Sequence, residues 1–149
     1  KVFDTLSLLE DPMYLEVSTS YKVVQETDHY VNITFTTADY TGGAHGMYYT
    51  YGLVFDKASG KRLPYTAFAD KITKEQLKEK IADGTLPVYT ADLHTKSTAP
   101  FLRDFNDFTV SQNYILGKDG HVYLMYQPYE LDCYAAGVTY VQLPLKHNL

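Results

Sequence analysis

An α+β fold is predicted for this chain, a largely antiparallel sheet of about six strands with one or two helices packed on it. Three observations predict it. Short apolar runs alternate with period two, brief turn-type segments join most of them, and one segment carries a full set of helix start and stop signals. With 149 residues, 45% of them hydrophobic and 21% charged, the chain suits a single domain over residues 1–149 with one core.

The elements follow in order. From Tyr14 to Gln25, residues Leu15, Val17, Thr19, Tyr21 and Val23 fall on one face and Glu16, Ser18, Ser20 and Lys22 on the other. Glu26-Thr27-Asp28 reads as a turn, and Tyr30 to Thr37 as a second strand with Val31, Ile33 and Phe35 inward, so the two runs form a hairpin. A third strand runs from Met47 to Phe55 and ends at the turn Lys57-Ala58-Ser59-Gly60-Lys61. Thr73 caps a helix, Gln76 completes a capping box, Ile72 and Leu77 stand at staple positions, and Gly84 follows as a C-terminal cap. Leu77 and Ile81 give this helix a narrow apolar stripe. Thr85 to Pro100 reads as loop, with a helical turn near Phe101 to Phe105. Runs at Phe108 to Val110, Asn113 to Leu116, His121 to Tyr126 and Val138 to Leu143 close the chain, the middle two joined by a hairpin turn at Gly117-Lys118-Asp119-Gly120.

Composition removes several function classes. A formal net charge of −5 argues against a nucleic-acid footprint. No apolar run reaches the roughly 20 residues of a membrane span. Lys1-Val2-Phe3-Asp4 reads as mid-chain sequence, which suggests that a leader precedes it. Cys133 is the only cysteine, so no internal disulfide forms, and nothing nearby marks an activated thiol; a buried, inert side chain is expected. There are 15 tyrosines and no tryptophan, which fits a sheet with one wet face or a contact surface.

Two strings carry the chemical interest. Thr41-Gly42-Gly43-Ala44-His45-Gly46 sits between tyrosine-rich strands and demands backbone shapes or close approaches that side chains forbid. The second is Tyr126-Gln127-Pro128-Tyr129-Glu130-Leu131-Asp132-Cys133-Tyr134-Ala135-Ala136-Gly137. The five histidines show no metal-ligand spacing, so no metal and no cofactor is expected, and His45 is read as a hydrogen-bonding post in its bend. Glu130 and Asp132 would share a side of an extended segment, but with 18 acidic residues such pairs arise by chance; ordering the loop is the expected role of Glu130.

These strings resemble a bacterial envelope domain family of unknown function. Its domain forms the extracellular part of the lysozyme-sensing anti-sigma factor RsiV and accompanies some peptidoglycan deacetylase domains. The resemblance spans Tyr14 to Pro64 and Phe105 to Leu143, with the middle unmatched, and rests on Tyr40 through Gly46, Asp56, Ser59-Gly60-Lys61, Tyr126, Pro128, Tyr129-Glu130 and Tyr134-Ala135-Ala136-Gly137. The resemblance implies a longer N-terminal helical portion ahead of the first strand, which this chain is expected either to lack or to have lost before Lys1.

The resemblance implies an exported protein, periplasmic or at the cell surface, anchored to the membrane directly or as a lipoprotein. It also implies a non-enzymatic binding or sensor module for a protein ligand such as lysozyme, or for a wall component such as peptidoglycan. On that reading Tyr48, Pro128, Tyr129, Glu130 and Tyr134 form the binding surface, while Gly42, Gly43, His45, Gly46, Asp56 and Gly137 shape it. Two alternatives stand beside it: a glycan-acting enzyme pairing His45 with Glu130 or Asp56, and a scaffold domain of a larger exported protein.

Overall fold

The structure, a computed structural model, describes residues 15–97 and 108–146. The helical turn expected at Phe101 to Phe105 lies outside these residues, as does Tyr14. The fold is α+β, with two antiparallel sheets in place of one. Strands β1 (Glu16–Glu26), β2 (Tyr30–Tyr40) and β3 (Met47–Asp56) form a meander. Strands β4 (Val88–Tyr89), β5 (Tyr114–Leu116), β6 (Val122–Tyr126) and β7 (Thr139–Gln142) form the second sheet, in the order β4-β7-β6-β5.

The first hairpin forms as its alternation requires, with Tyr21 opposite Phe35 and Val23 opposite Ile33. A bulge between Val23 and Gln25 breaks the register near the turn. There the Thr27 hydroxyl accepts hydrogen bonds from the backbone N–H groups of His29 and Tyr30, at 3.2 and 3.1 Å. Helix α1 (Lys74–Ala82) is capped as expected: the Thr73 side chain accepts from Gln76 N, the Gln76 side chain accepts from Thr73 N, and Gly84 adopts φ +80° just past the end. A cap of this kind contributes about 1 kcal/mol. Its buried residues, Leu77 and Ile81, join the main core beneath the second sheet.

Three expectations need correction. Phe108 to Val110 is not a strand; Phe108 is buried with its ring stacked on Tyr126, centroids 5.3 Å apart. The presumed loop after Thr85 contains β4, whose two residues pair with Val141 and Tyr140 of β7. So short a strand carries no periodicity; its partner defines it. The third concerns β2. Val31, Ile33 and Phe35 do not face the core. They lie on the face shared with Val17, Tyr21 and Val23 of β1 and Tyr49, Tyr51 and Leu53 of β3, where Val17 and Tyr21 remain 77% and 75% exposed.

The opposite face meets the second sheet because it bears the groups that permit contact. A side chain at Gly52 would overlap the backbone carbonyl of Tyr114, so only glycine lets β3 lie against β5. Asn32, fully buried, donates to the carbonyl of Leu116 at 2.7 Å and accepts from its N–H at 3.4 Å. Gln127 does the reverse from the second sheet, accepting from Thr50 N at 2.9 Å and donating to Thr50 O at 2.8 Å. Each amide occupies backbone groups of the other sheet, which a buried interface would otherwise leave unpaired. Strand β6, from Val122 to Tyr126, is buried throughout, with core on both faces.

Candidate functional site

The two strings meet. They belong to parts of the chain 88 residues apart at their closest link, where the Tyr134 hydroxyl donates to the carbonyl of Gly46 at 2.9 Å. The Tyr134 ring also stacks on the imidazole of His45, with centroids 3.9 Å apart and planes 17° from parallel. Tyr48 approaches Tyr134 edge-on at 6.0 Å, and Tyr129 leans on it at 5.6 Å. Tyr134 is therefore the hub of a four-ring cluster, and stacked and edge-on contacts of this type add to simple burial.

Local backbone chemistry explains how each ring is held. Gly42 and Gly43 turn the chain with φ of +104° and +98°, conformations that L side chains rarely adopt, and the Tyr40 hydroxyl closes the bend on Gly43 O at 2.9 Å. Gly46 serves a different need: a Cβ there would overlap the carbonyl of Asp39. On the other side, Gly137 (φ +71°) leaves room for the Tyr48 hydroxyl, which would stand 2.8 Å from a Cβ. Burial, and then the neighbouring Tyr134, push the Tyr48 phenol above its ordinary value, so it stays a neutral hydrogen-bonding group.

The Gln127–Glu130 turn is fixed from both ends. The Glu130 carboxylate accepts from Gln127 N at 2.8 Å, Glu130 N donates to Gln127 O at 3.0 Å, and the Gln127 amide clips onto β3. Pro128 is buried, with its place inside the turn and little surface left for a ligand. Tyr129 holds φ +73°, a left-handed conformation unusual for an aromatic residue, and stands 44% exposed. Backbone strain of this sort costs on the order of 1–3 kcal/mol and persists only where the surroundings enforce it.

Other candidates separate. Asp56 lies at the far end of β3 from His45, roughly 30 Å away at strand rise, so these two do not form an acid-base pair. Its carboxylate instead accepts from Ser59 N and Ser59 Oγ, bonds that hold it below the usual carboxylate range. Glu130 and Asp132 do not share a face, because the segment is a turn and Asp132 accepts from Ser97 Oγ at 3.0 Å. Cys133 is exposed, contrary to the buried thiol expected, since it opens a surface 3-10 turn (Tyr134–Ala136). Among the described residues, no three His, Cys, Asp or Glu side chains stand close enough to hold a metal ion.

Beside the cluster is an open hollow of about 230 Å³, walled by Glu16, Ser18, Ala38, Tyr40, Tyr48 and Tyr134 among others. Glu16, Ser18, Ala38, Tyr40 and Tyr48 all occupy one face of the first sheet by register. Asp39 also lines it, but strand alternation sends its side chain to the other face, leaving Glu16 as the acid turned towards the hollow. Sequence reasoning did not single out Glu16, Gln127, Asn32 or Gly52. Gly52 was legible as a glycine inside a strand pattern, and Asn32 as a polar residue amid alternating apolar ones.

The sequence profile described as a protein of unknown function (DUF3298) matches residues 58–146. The chain belongs to the DUF3298 family. The DUF3298 match takes in the helix and β4, so the middle of the chain is part of the family pattern after all, and it begins beyond β3, leaving the glycine bend outside. Two solved DUF3298 structures share the fold. One, from Pseudomonas aeruginosa PAO1, has a TM-score of 0.58 at 20% identity, over 87% of this chain and 58% of that one. The other, from Bacteroides fragilis NCTC 9343, has a TM-score of 0.65 at 20% identity, over 95% of this chain and 55% of that one. The chain thus spans less than two thirds of either DUF3298 protein, and coverage of this extent takes in the first sheet as well. No curated protein matches the sequence.

Proposed function

We propose that this DUF3298 domain is a non-enzymatic binding module of the cell envelope, which docks a cationic side chain of a basic protein partner, lysozyme-like in character, beside its tyrosine cluster. The observation that carries the reading is the convergence of His45, Tyr48, Tyr129 and Tyr134 next to a hollow faced by Glu16. Rigid aromatic rings with polar tips make effective contact anchors, and a cation over a tyrosine face gains from the ring quadrupole. The hollow, at about 230 Å³, falls short of the roughly 300–1,000 Å³ typical of small-molecule sites but suits one inserted side chain. A net charge of −5 favours encounter with a basic partner. Among the described residues His45 contacts Gly46 O and the Tyr134 ring and no carboxylate, which speaks for positioning over acid-base chemistry. The envelope location rests on the motif resemblance to exported proteins.

Calorimetric titration of the full chain with a c-type lysozyme, and with wall fragments in parallel, tests the reading. Saturable lysozyme binding that weakens at least tenfold in Tyr129→Ala is expected. Absence of heat at high concentrations of both proteins would remove this ligand, and binding to wall fragments alone would transfer the site to peptidoglycan. If neither binds, the scaffold reading takes over: Tyr134 and the glycines would then serve only to join the sheets.

A further inference from the structure

Strand β1 is an edge, and its character is unusual. Among the described residues it pairs with β2 alone, so eleven residues present a second, open row of backbone donors and acceptors. Long open edges are normally blunted by charge, proline or an early bulge, because they recruit other strands. Here the bulge comes only after Val23, leaving Glu16 to Val23 in regular register with Leu15 just ahead of it. This stretch also holds Val17 at 77%, Tyr21 at 75%, Leu15 at 51% and Val23 at 47% exposure, a concentration of bare apolar side chains on one strand.

We infer that this edge pairs with the same edge of a second copy of the chain, antiparallel about a two-fold axis through Thr19. The reason is its self-complementarity. A two-fold axis normal to the sheet keeps every side chain on its own face, so each residue must meet one of equal parity. Centred on Thr19, Glu16 of one copy faces Lys22 of the other, Val17 faces Tyr21, Leu15 faces Val23, and Ser18 faces Ser20. The four bare apolar residues pair among themselves, and opposite charges fall directly across from each other, both favourable cross-strand combinations. Moving the axis by one residue in either direction puts Ser20 or Val24 opposite Glu16. Glu26 offers no equal alternative for Lys22, because it lies beyond the bulge and is held by Lys57 at 2.8 Å. The pairing shares Glu16 with the hollow of the lysozyme-like reading, so Lys22→Glu, which leaves the hollow's lining unchanged, separates the two; the contact joins the two three-stranded sheets into one continuous sheet.

Sedimentation equilibrium of the full chain from about 1 µM to about 1 mM, a range that brackets weak association, tests it. The mass should climb from 17.0 kDa towards twice that value. Lys22→Glu alone, or Glu16→Lys alone, sets like charges opposite each other and should weaken association at least tenfold. The double exchange of both residues should restore it. Amide exchange should show protection across residues 16–23 that grows with concentration, while circular dichroism confirms that each variant is folded. A monomer at every concentration would overturn the inference. A dimer indifferent to the single reversals, or one not rescued by the double exchange, would place the contact elsewhere and overturn it equally.

Discussion

The two sheets of this domain obey the same period-two grammar and reach opposite outcomes. In the second sheet β6 is buried from Val122 through Tyr126, covered by the helix and main core on one face and by a smaller cluster with Tyr48 on the other. In the first sheet the more apolar face, with Val17, Tyr21, Phe35, Tyr49 and Tyr51, is turned away from the second sheet, and the face that makes contact does so through Gly52, Asn32 and Val54. Hydrophobic alternation marks that a strand has two faces. Which face is covered depends on whether another element can come close enough, and here a missing side chain and a buried amide decide it.

Substitutions can break or sharpen that contrast. The largest effect is expected from Leu124→Ala in β6, a fully buried position where loss of transfer energy plus a cavity costs about 2–5 kcal/mol. Val17→Ala on the exposed face of β1 should stay within about 0.5 kcal/mol, and equal effects at the two sites, measured by urea unfolding, would erase the distinction between the sheets.

Next comes Gly52→Ala. Its new methyl group meets the Tyr114 carbonyl, a backbone atom with little room to move, so overpacking of about 1–3 kcal/mol is expected. A neutral result would show that β3 and β5 do not touch through this residue. Asn32→Ala strands a buried N–H and carbonyl of Leu116 and should cost a comparable or smaller amount, about 1–3 kcal/mol. Hydrogen exchange at Leu116 should rise with it.

The smallest expected effect is electrostatic and confined to the second sheet. Burial pushes the Asp119 carboxyl up, but hydrogen bonds from the Tyr123 hydroxyl (2.8 Å) and His121 N (3.0 Å) outweigh it and hold Asp119 below its ordinary value near 3.8. A depressed carboxylate contributes stability that is present above the unfolded-state value and disappears as pH falls through the folded one. Stability should therefore decline below about pH 4. In Tyr123→Phe, whose parent phenol is itself pushed up to about 12 by burial and by Asp119, that decline should be shallower. An unchanged acid profile would show that this bond does not govern the turn.

Much of the fold was legible in local sequence. The first hairpin, the Asp119-Gly120 turn and the capped helix each depend on residues within a few positions of one another, such as Thr73 with Gln76. The candidate site was legible only in part. Both strings were conspicuous, Gly42 and Gly43 as a bend and Glu130 as a loop organiser among them. Their meeting was not, because no local pattern encodes the tie from Tyr134 to Gly46 or the space Gly137 leaves for Tyr48. β4 escaped notice for a similar reason, its two residues being strand only by virtue of β7.

What the sequence determined by itself is the period of each strand, the turn chemistry between neighbours, the caps of α1 and the need for glycine at a few positions. All of these are short-range steric and hydrogen-bonding constraints. Tertiary structure alone decided that Asn32 would serve Leu116, 84 positions away, that Gln127 would clip Thr50, 77 away, and that the apolar face of the first sheet would look outward. A period-two pattern is symmetric with respect to its two faces, so the choice between them falls to the long-range contacts that satisfy buried backbone groups and fill the space between the sheets.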